Sequence, residues 1–166
     1  MPKISFKGQS DYFLRLEQLE QVFAKDATIE KAVAAGAKPV ADQIRKNLEA
    51  LEEEEYRHLQ DGDIFHGISK GQKKDLADSF GLTPIDRDRK GFIHVKAGFD
   101  GYGSYPTKDY PEGLPNQMVA RAVESGSSVR EKMPFVRPAV QATRKESIEA
   151  MEKVIDAETE KIFRRN

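Results

Sequence analysis

The sequence predicts an α+β fold, in which a small antiparallel sheet packs against a long helix of the N-terminal half and a C-terminal helix. Three observations carry this. Apolar residues recur at three- and four-residue steps across residues 26–51 and again across 135–162, with charged residues on the remaining sides. The stretch GFIHVKAGFDG, residues 91–101, alternates instead, with Phe92, His94 and Lys96 on one side and Ile93, Val95 and Ala97 on the other, the period of a strand. Residues 98–115, GFDGYGSYPTKDYPEGLP, break both periods with Gly98, Gly101, Gly103, Gly113 and the prolines at 106, 111 and 115, and read as a projecting loop.

In chain order, Ser10 can cap a first helix over Asp11–Ala24, whose Phe13, Leu16, Leu19 and Phe23 share a face. A longer helix starts at Asp26 or Thr28 and keeps Ile29, Val33, Gly36, Val40, Ile44, Leu48 and Leu51 in one stripe. Pro39 lies within it, and because the stripe keeps its phase the expectation is a kink rather than two helices. Glu52, Glu53, Glu54 and Glu55 follow at the helix end, against the dipole, either as a solvated terminus or as a contact for basic residues of a neighbouring chain.

Residues 61–75 read as a loop. SKGQKKDLADSFGLTP, residues 69–84, offers a short helix that buries Leu76 and Phe80 and ends at Gly81. The strand above belongs to a sheet placed around residues 90–106. LPNQMVARAVESG returns to helical spacing through Leu114, Met118, Val119, Ala122 and Val123, and Gly126 ends it. The last helix starts at Phe135 or Pro138, with Val140, Ile148, Met151, Val154, Ile155 and Ile162 on its apolar face and a basic end that suits its dipole. Pro134 and Pro138 fix φ on both sides of Phe135, Val136 and Arg137, so that start is pre-organised. Phe135 and Val136 can dock on the long helix or anchor in an adjacent subunit, and Arg137 can reach a carboxylate near ESGSS.

A chain of 166 residues can bury ~70% of the surface its unfolded form exposes, enough for one domain spanning residues 1–166. With 27 basic and 28 acidic residues the formal net charge is -1, so no overall field draws it to nucleic acid or to an anionic membrane. The absence of cysteine excludes disulfides, thiol nucleophiles and thiolate zinc sites. No apolar leader or membrane span is visible, and the expectation is a soluble protein made in a cytoplasm.

Catalytic patterns are not visible either. His58, His66 and His94 are scattered and read as surface or edge residues. DGDIFHGISKGQ begins like a calcium loop but has His66 and Gln72 where glycine and glutamate are needed. GYG at 101–103 lacks the rest of a phosphate cradle. Lys70, Lys73, Lys74, Arg87, Arg89 and Lys90 are interleaved with Asp75, Asp78, Asp86 and Asp88, which suits inter-subunit ion pairs better than a phosphate-binding stripe. The reading is of a protein that is not an enzyme and takes no cofactor or metal.

Taken in order, several segments resemble the "putative tail component" family of long-tailed phages, the tenth-gene-product-like proteins of lambda-like virions. KGQSDYFLRLEQLEQ resembles its first amphipathic element and KAVAAGAKPVADQIRKNL its Ala/Gly-bearing long helix. DLADSFGLTP is similar to its short helical segment, GFIHVKAGFDG to its strand, and VARAVESGSS to its helix ending in an EFGTS-like turn. MPFVRPAVQATRKE is the most specific, where the family reads P-F-L-R-P-A. Ser125 replaces the family's phenylalanine at that turn, and SKGQKKD its DTG before the short helix.

The resemblance implies a structural virion protein of the phage neck, which joins head to tail or completes the tail as a ring; a tail is rotationally symmetric, so such a component repeats around its axis, with roughly six copies expected. Its partners would be itself, the neighbouring neck proteins, and the tail tube or terminator protein. Genome DNA would meet it only by passing through the ring. It would act in the virion after assembly in the host bacterial cytoplasm, with no membrane contact. Tyr102, Tyr105 and Tyr110 would supply contact area to a neighbour. A tail terminator capping the tube is the alternative, and a cytoplasmic DNA-binding or toxin-like protein the second.

Overall fold

A computed structural model describes residues 26–55, 60 and 62–164, apart from the side chains of Ile162 and Phe163, together with Leu14, Leu16, Glu17 and Glu20. Most of the helix expected over Asp11–Ala24 therefore lies outside the described residues, as does His58; its Leu14, Leu16, Glu17 and Glu20 are helical and exposed. The fold is α+β. Its helices are α1 (Asp26–Glu49), α2 (Lys70–Ser79), α3 (Asn116–Ser125) and α4 (Val136–Arg164). Its strands are β1 (Phe80–Leu82), β2 (Asp86–Arg87), β3 (Ile93–His94) and β4 (Ala97–Phe99).

Helices α1 and α4 form the long axis, and three contacts fix them antiparallel. Lys31 near the start of α1 bonds Glu158 near the end of α4 at 3.2 Å. In the middle, the Ser147 hydroxyl donates to the Gly36 carbonyl. At the other end the Asn47 side-chain amide donates to the Phe135 carbonyl at 2.9 Å. Pro39 is accommodated in one continuous helix. Lacking an N–H, it leaves the carbonyl one turn earlier without its helical donor, close to where Ser147 approaches. The backbones come near one another because the first half of α1 buries small side chains, Thr28, Ala32 and Gly36. A Cβ on Gly36 would lie 2.7 Å from Met151 Cγ.

Larger residues fill the opposite end. Ala41, Ile44 and Leu48 of α1 meet Ile68, Leu76, Phe80, Phe99, Val119, Val123, Phe135 and Ala139 in one core. Phe99 is central to it, with ring centroids 5.1 Å from Phe80 and 5.9 Å from Phe135. Such tilted and edge-on aromatic pairs contribute about 0.5–1.5 kcal/mol each beyond their buried area.

The sheet differs from expectation. It comprises two short antiparallel ladders, β1 with β4 and β2 with β3, which together form an interrupted hairpin over residues 80–99 rather than 90–106. The strand partner lies upstream because the chain turns back after Asp100 through Gly101, whose φ is 66°. Phe80 and Gly81 open β1 instead of closing α2. Phe80 is extended while its N–H still bonds the Leu76 carbonyl, and Gly81 has no positive φ. The hairpin runs along α1 from Arg45, whose guanidinium lies 5.1 Å from the Phe80 ring, to Asp26, which pairs with Arg87. The positive guanidinium holds the Asp26 carboxyl below its ordinary range.

Other boundaries also move. The expected 61–75 loop ends early, because the Ser69 hydroxyl accepts the Gln72 N–H at 3.2 Å and starts α2 at Lys70. Met118, Val140 and Ile148, assigned to apolar faces, are 48%, 47% and 46% exposed. Beside them Val119, Ala139 and Thr143 are buried, the last bonding its hydroxyl to the Ala139 carbonyl. Helix α3 ends at Gly126 as expected, with φ 78°.

The close approach at Gly36 is testable. Gly36→Val should lower unfolding stability by about 1–3 kcal/mol through overpacking against Met151. Pairing it with Met151→Ala should recover part of that loss in a denaturant-melt double-mutant cycle.

Candidate interaction surfaces

The start of α4 is held by a remote carboxylate. No Ser, Thr, Asp or Asn precedes Val136 in a capping position. Instead Glu124, in the last turn of α3, accepts the N–H groups of Phe135 at 2.7 Å, Val136 at 2.8 Å and Arg137 at 3.0 Å. A carboxylate there satisfies orphan donors and meets the positive end of the dipole. Arg137 places its Nε 3.8 Å from the same carboxylate, whose side chain is only 13% exposed. The Met133 N–H adds a bond to the Val123 carbonyl at 2.8 Å. Phe135 is 1% exposed, so its ring is spent inside its own chain and leaves nothing for an adjacent subunit. Val136 is half-buried and Arg137 exposed.

The acidic run is not a helix end. Helix α1 stops at Glu49, and residues 52–55 extend beside residues 66–68, with the Ile68 N–H on the Glu52 carbonyl and the Glu54 N–H on the Ile68 carbonyl. The Glu54 carboxylate accepts the N–H groups of His66 at 2.6 Å and Gly67 at 3.0 Å. Glu53 pairs with Lys73 at 3.0 Å. Two of the four glutamates thus bind their own chain, while Glu52 and Glu55 remain exposed.

The tyrosine loop is pinned at its base rather than projecting throughout. Asp75 of α2 accepts the Ser104 N–H at 2.7 Å and its hydroxyl at 2.6 Å. The Gly103 N–H bonds the Leu114 carbonyl, and the Asn116 N–H the Gly101 carbonyl. Tyr105 packs directly over Gly71, where a Cβ would lie 2.7 Å from its ring. Tyr102 and Tyr105 are 58% and 40% exposed, and Tyr110 is half-buried.

Two features lie outside the residues singled out from the sequence. One is a groove of about 310 Å³ lined by Phe65, Leu114, Met118, Ala122 and Val129, with Arg130 at its wall. The Arg130 guanidinium stacks 5.4 Å from the Phe65 ring centroid and donates to the Gly67 carbonyl and, at 2.9 Å, to Gln72. Burial pulls its pKa below the ordinary arginine value, partly countered by Glu54. The other is the hairpin tip, where Asp88 accepts the N–H groups of Lys90 and Phe92 at 2.9 Å and Gly91 takes a φ of 86°. This turn presents Phe92 67% exposed. The spacing D-x-x-G-F could have signalled it.

Among the described residues no group of three or more histidines or carboxylates is placed to hold a metal, and no helix is long and apolar enough to cross a membrane. His66 and its partner Glu131, 2.6 Å apart, are both exposed. No family model, curated protein or solved structure matches the chain.

Removing the shared cap should be costly. Glu124→Ala leaves donors of a largely covered helix start without partners, and urea melts should show a loss of about 1–3 kcal/mol. Asp75→Ala, by releasing Ser104, should make limited proteolysis between residues 104 and 112 faster while the thermal midpoint changes little.

Proposed function

We propose that this chain is a structural protein of the phage neck that joins head to tail or completes the tail as a homo-oligomeric ring. The observation that carries the reading is the ordered resemblance from KGQSDYF to MPFVRPAVQATRKE. Its most specific segment coincides with a structurally demanding position: residues 133–137 join α3 to α4 and seat Phe135 between Asn47 and Glu124. A sequence pattern at such a position serves the fold.

The surface is compatible with a role in assembly. It offers an exposed aromatic tip and an apolar groove, and many of its charges are already matched within the chain. Lys31 and Lys161 share Glu158, whose pKa is lowered by the hydrogen bond from Lys161 and then by that from Lys31. Arg87 is engaged by Asp26 and Lys73 by Glu53. Those pairings remove two of the cations that a DNA-binding stripe would use. A terminator that caps the tube is the nearest competing role.

A phage lacking this protein should package its DNA and build capsids but lose infectivity. Electron microscopy of the lysate should show full heads beside tails that are unjoined or of irregular length. Empty, unprocessed heads would move the protein upstream into capsid maturation, and normal infectious particles would end the proposal. Direct binding of the purified protein to the tube subunit would favour the terminator.

A further inference from the structure

Phe92 is the most exposed of the large hydrophobic side chains among the described residues, and its N–H is held by the Asp88 carboxylate. An aromatic side chain held on an ordered turn offers large contact area at low ordering cost. Two exposed cations, Arg89 and Lys90, flank it, while the Asp88 carboxylate is taken up by the turn's own N–H groups.

The groove beside α3 has the complementary character. Its lining is mostly apolar, with Gln72 and Ser127 among it, and its single cation, Arg130, is engaged with Gly67, Gln72 and the Phe65 ring. The segments flanking Phe65 carry exposed Glu52, Glu55, Asp63 and Glu131, joined to it through the bridge of Glu53 with Ile68 and the Glu131 N–H on the Phe65 carbonyl.

Tip and groove cannot meet within one molecule. The outer ladder is tied to Asp26 at the start of α1, whereas the groove shares Val119 with the core around Ile44 and Leu48. At 1.5 Å per residue those ends of α1 lie about 30 Å apart. A surface and its complement at opposite ends generate a head-to-tail contact, which closes into a ring when the rotation per subunit permits.

We infer that the hairpin tip of one copy docks Phe92 into the Phe65–Met118–Val129 groove of the next, with Arg89 and Lys90 facing Glu52 and Glu55. The inference rests on the proposed ring and names its contact. It gives the acidic run the role of receiving a neighbour's basic residues.

The chain has no cysteine, so engineered thiols report without background. Lys90→Cys and Glu52→Cys copies, both altered at exposed positions that leave Phe92 in place, should form a disulfide-linked pair when mixed and oxidised with diamide, and neither should do so alone. In sedimentation, Phe92→Ala should weaken self-association by at least about tenfold. Glu52→Lys with Glu55→Lys should weaken it likewise and recover when Arg89→Glu and Lys90→Glu are added. Unchanged association of Phe92→Ala with no mixed disulfide would overturn this contact and leave the ring standing. A Lys90→Cys pair formed alone would overturn it in favour of tip-to-tip association. A wild-type chain that stays monomeric at the highest attainable concentration would overturn both.

Discussion

The architecture depends on how α4 is started. A helix of 29 residues could begin at several places along MPFVRPAV, and the prolines restrict φ without choosing the direction in which it leaves. Direction comes from two partners on different elements, Glu124 at the first N–H groups and Asn47 at the Phe135 carbonyl. Once Phe135 is inserted beside Phe99, the rest of α4 has to run back along α1. Ser147 then arrives at Gly36 and Glu158 at Lys31. The core and the two-helix axis are thus coupled through one short segment.

That coupling explains why the helices were legible in the sequence and the sheet only partly so. Helix α1 has a long stripe that survives a proline, and α3 has its glycine stop, so local rules sufficed. The segment FGLTP has only a Leu76–Phe80 spacing that fits either a helix ending or a strand beginning. Its pairing with Ala97–Phe99 is non-local and invisible to periodicity. Val140 and Ile148 mislead for a related reason. In its first half α4 buries the small residues Ala139 and Thr143, so the apolar Val140 and Ile148 beside them fall outside the packed strip, whereas Met151 on the expected face does reach Gly36.

The surface was harder to foresee than the core. Glu124 sits more than ten residues before the helix it caps, and no local pattern links the two. Four consecutive glutamates look equivalent in sequence, yet Glu53 and Glu54 serve their own chain and Glu52 and Glu55 face outward. The tyrosines resemble a mobile tip by composition, but Asp75 converts the loop's first part into an anchored strap. The alternation of GFIHVKA places Phe92 on a strand face, whereas the turn that D-x-x-G-F encodes around Asp88 holds it clear of the ladder.

The uneven filling of the α1–α4 pair has a consequence for cooperativity. Among the described residues, one end is locked by buried Phe, Ile and Leu side chains, while the other is closed by Thr28, Ala32, half-buried Ile29, Val33, Val154 and Ile155, and a few ion pairs contributing ~0–1 kcal/mol each. Opening should therefore begin at the Asp26 end and spread toward Gly36, a partial unfolding that leaves the aromatic cluster intact. The β2–β3 ladder is tied to that end through Asp26, so its orientation shares the same low-energy fluctuation. A subunit built this way keeps a rigid body at one pole and a compliant limb at the other, able to absorb angular mismatch between neighbours without disturbing its core.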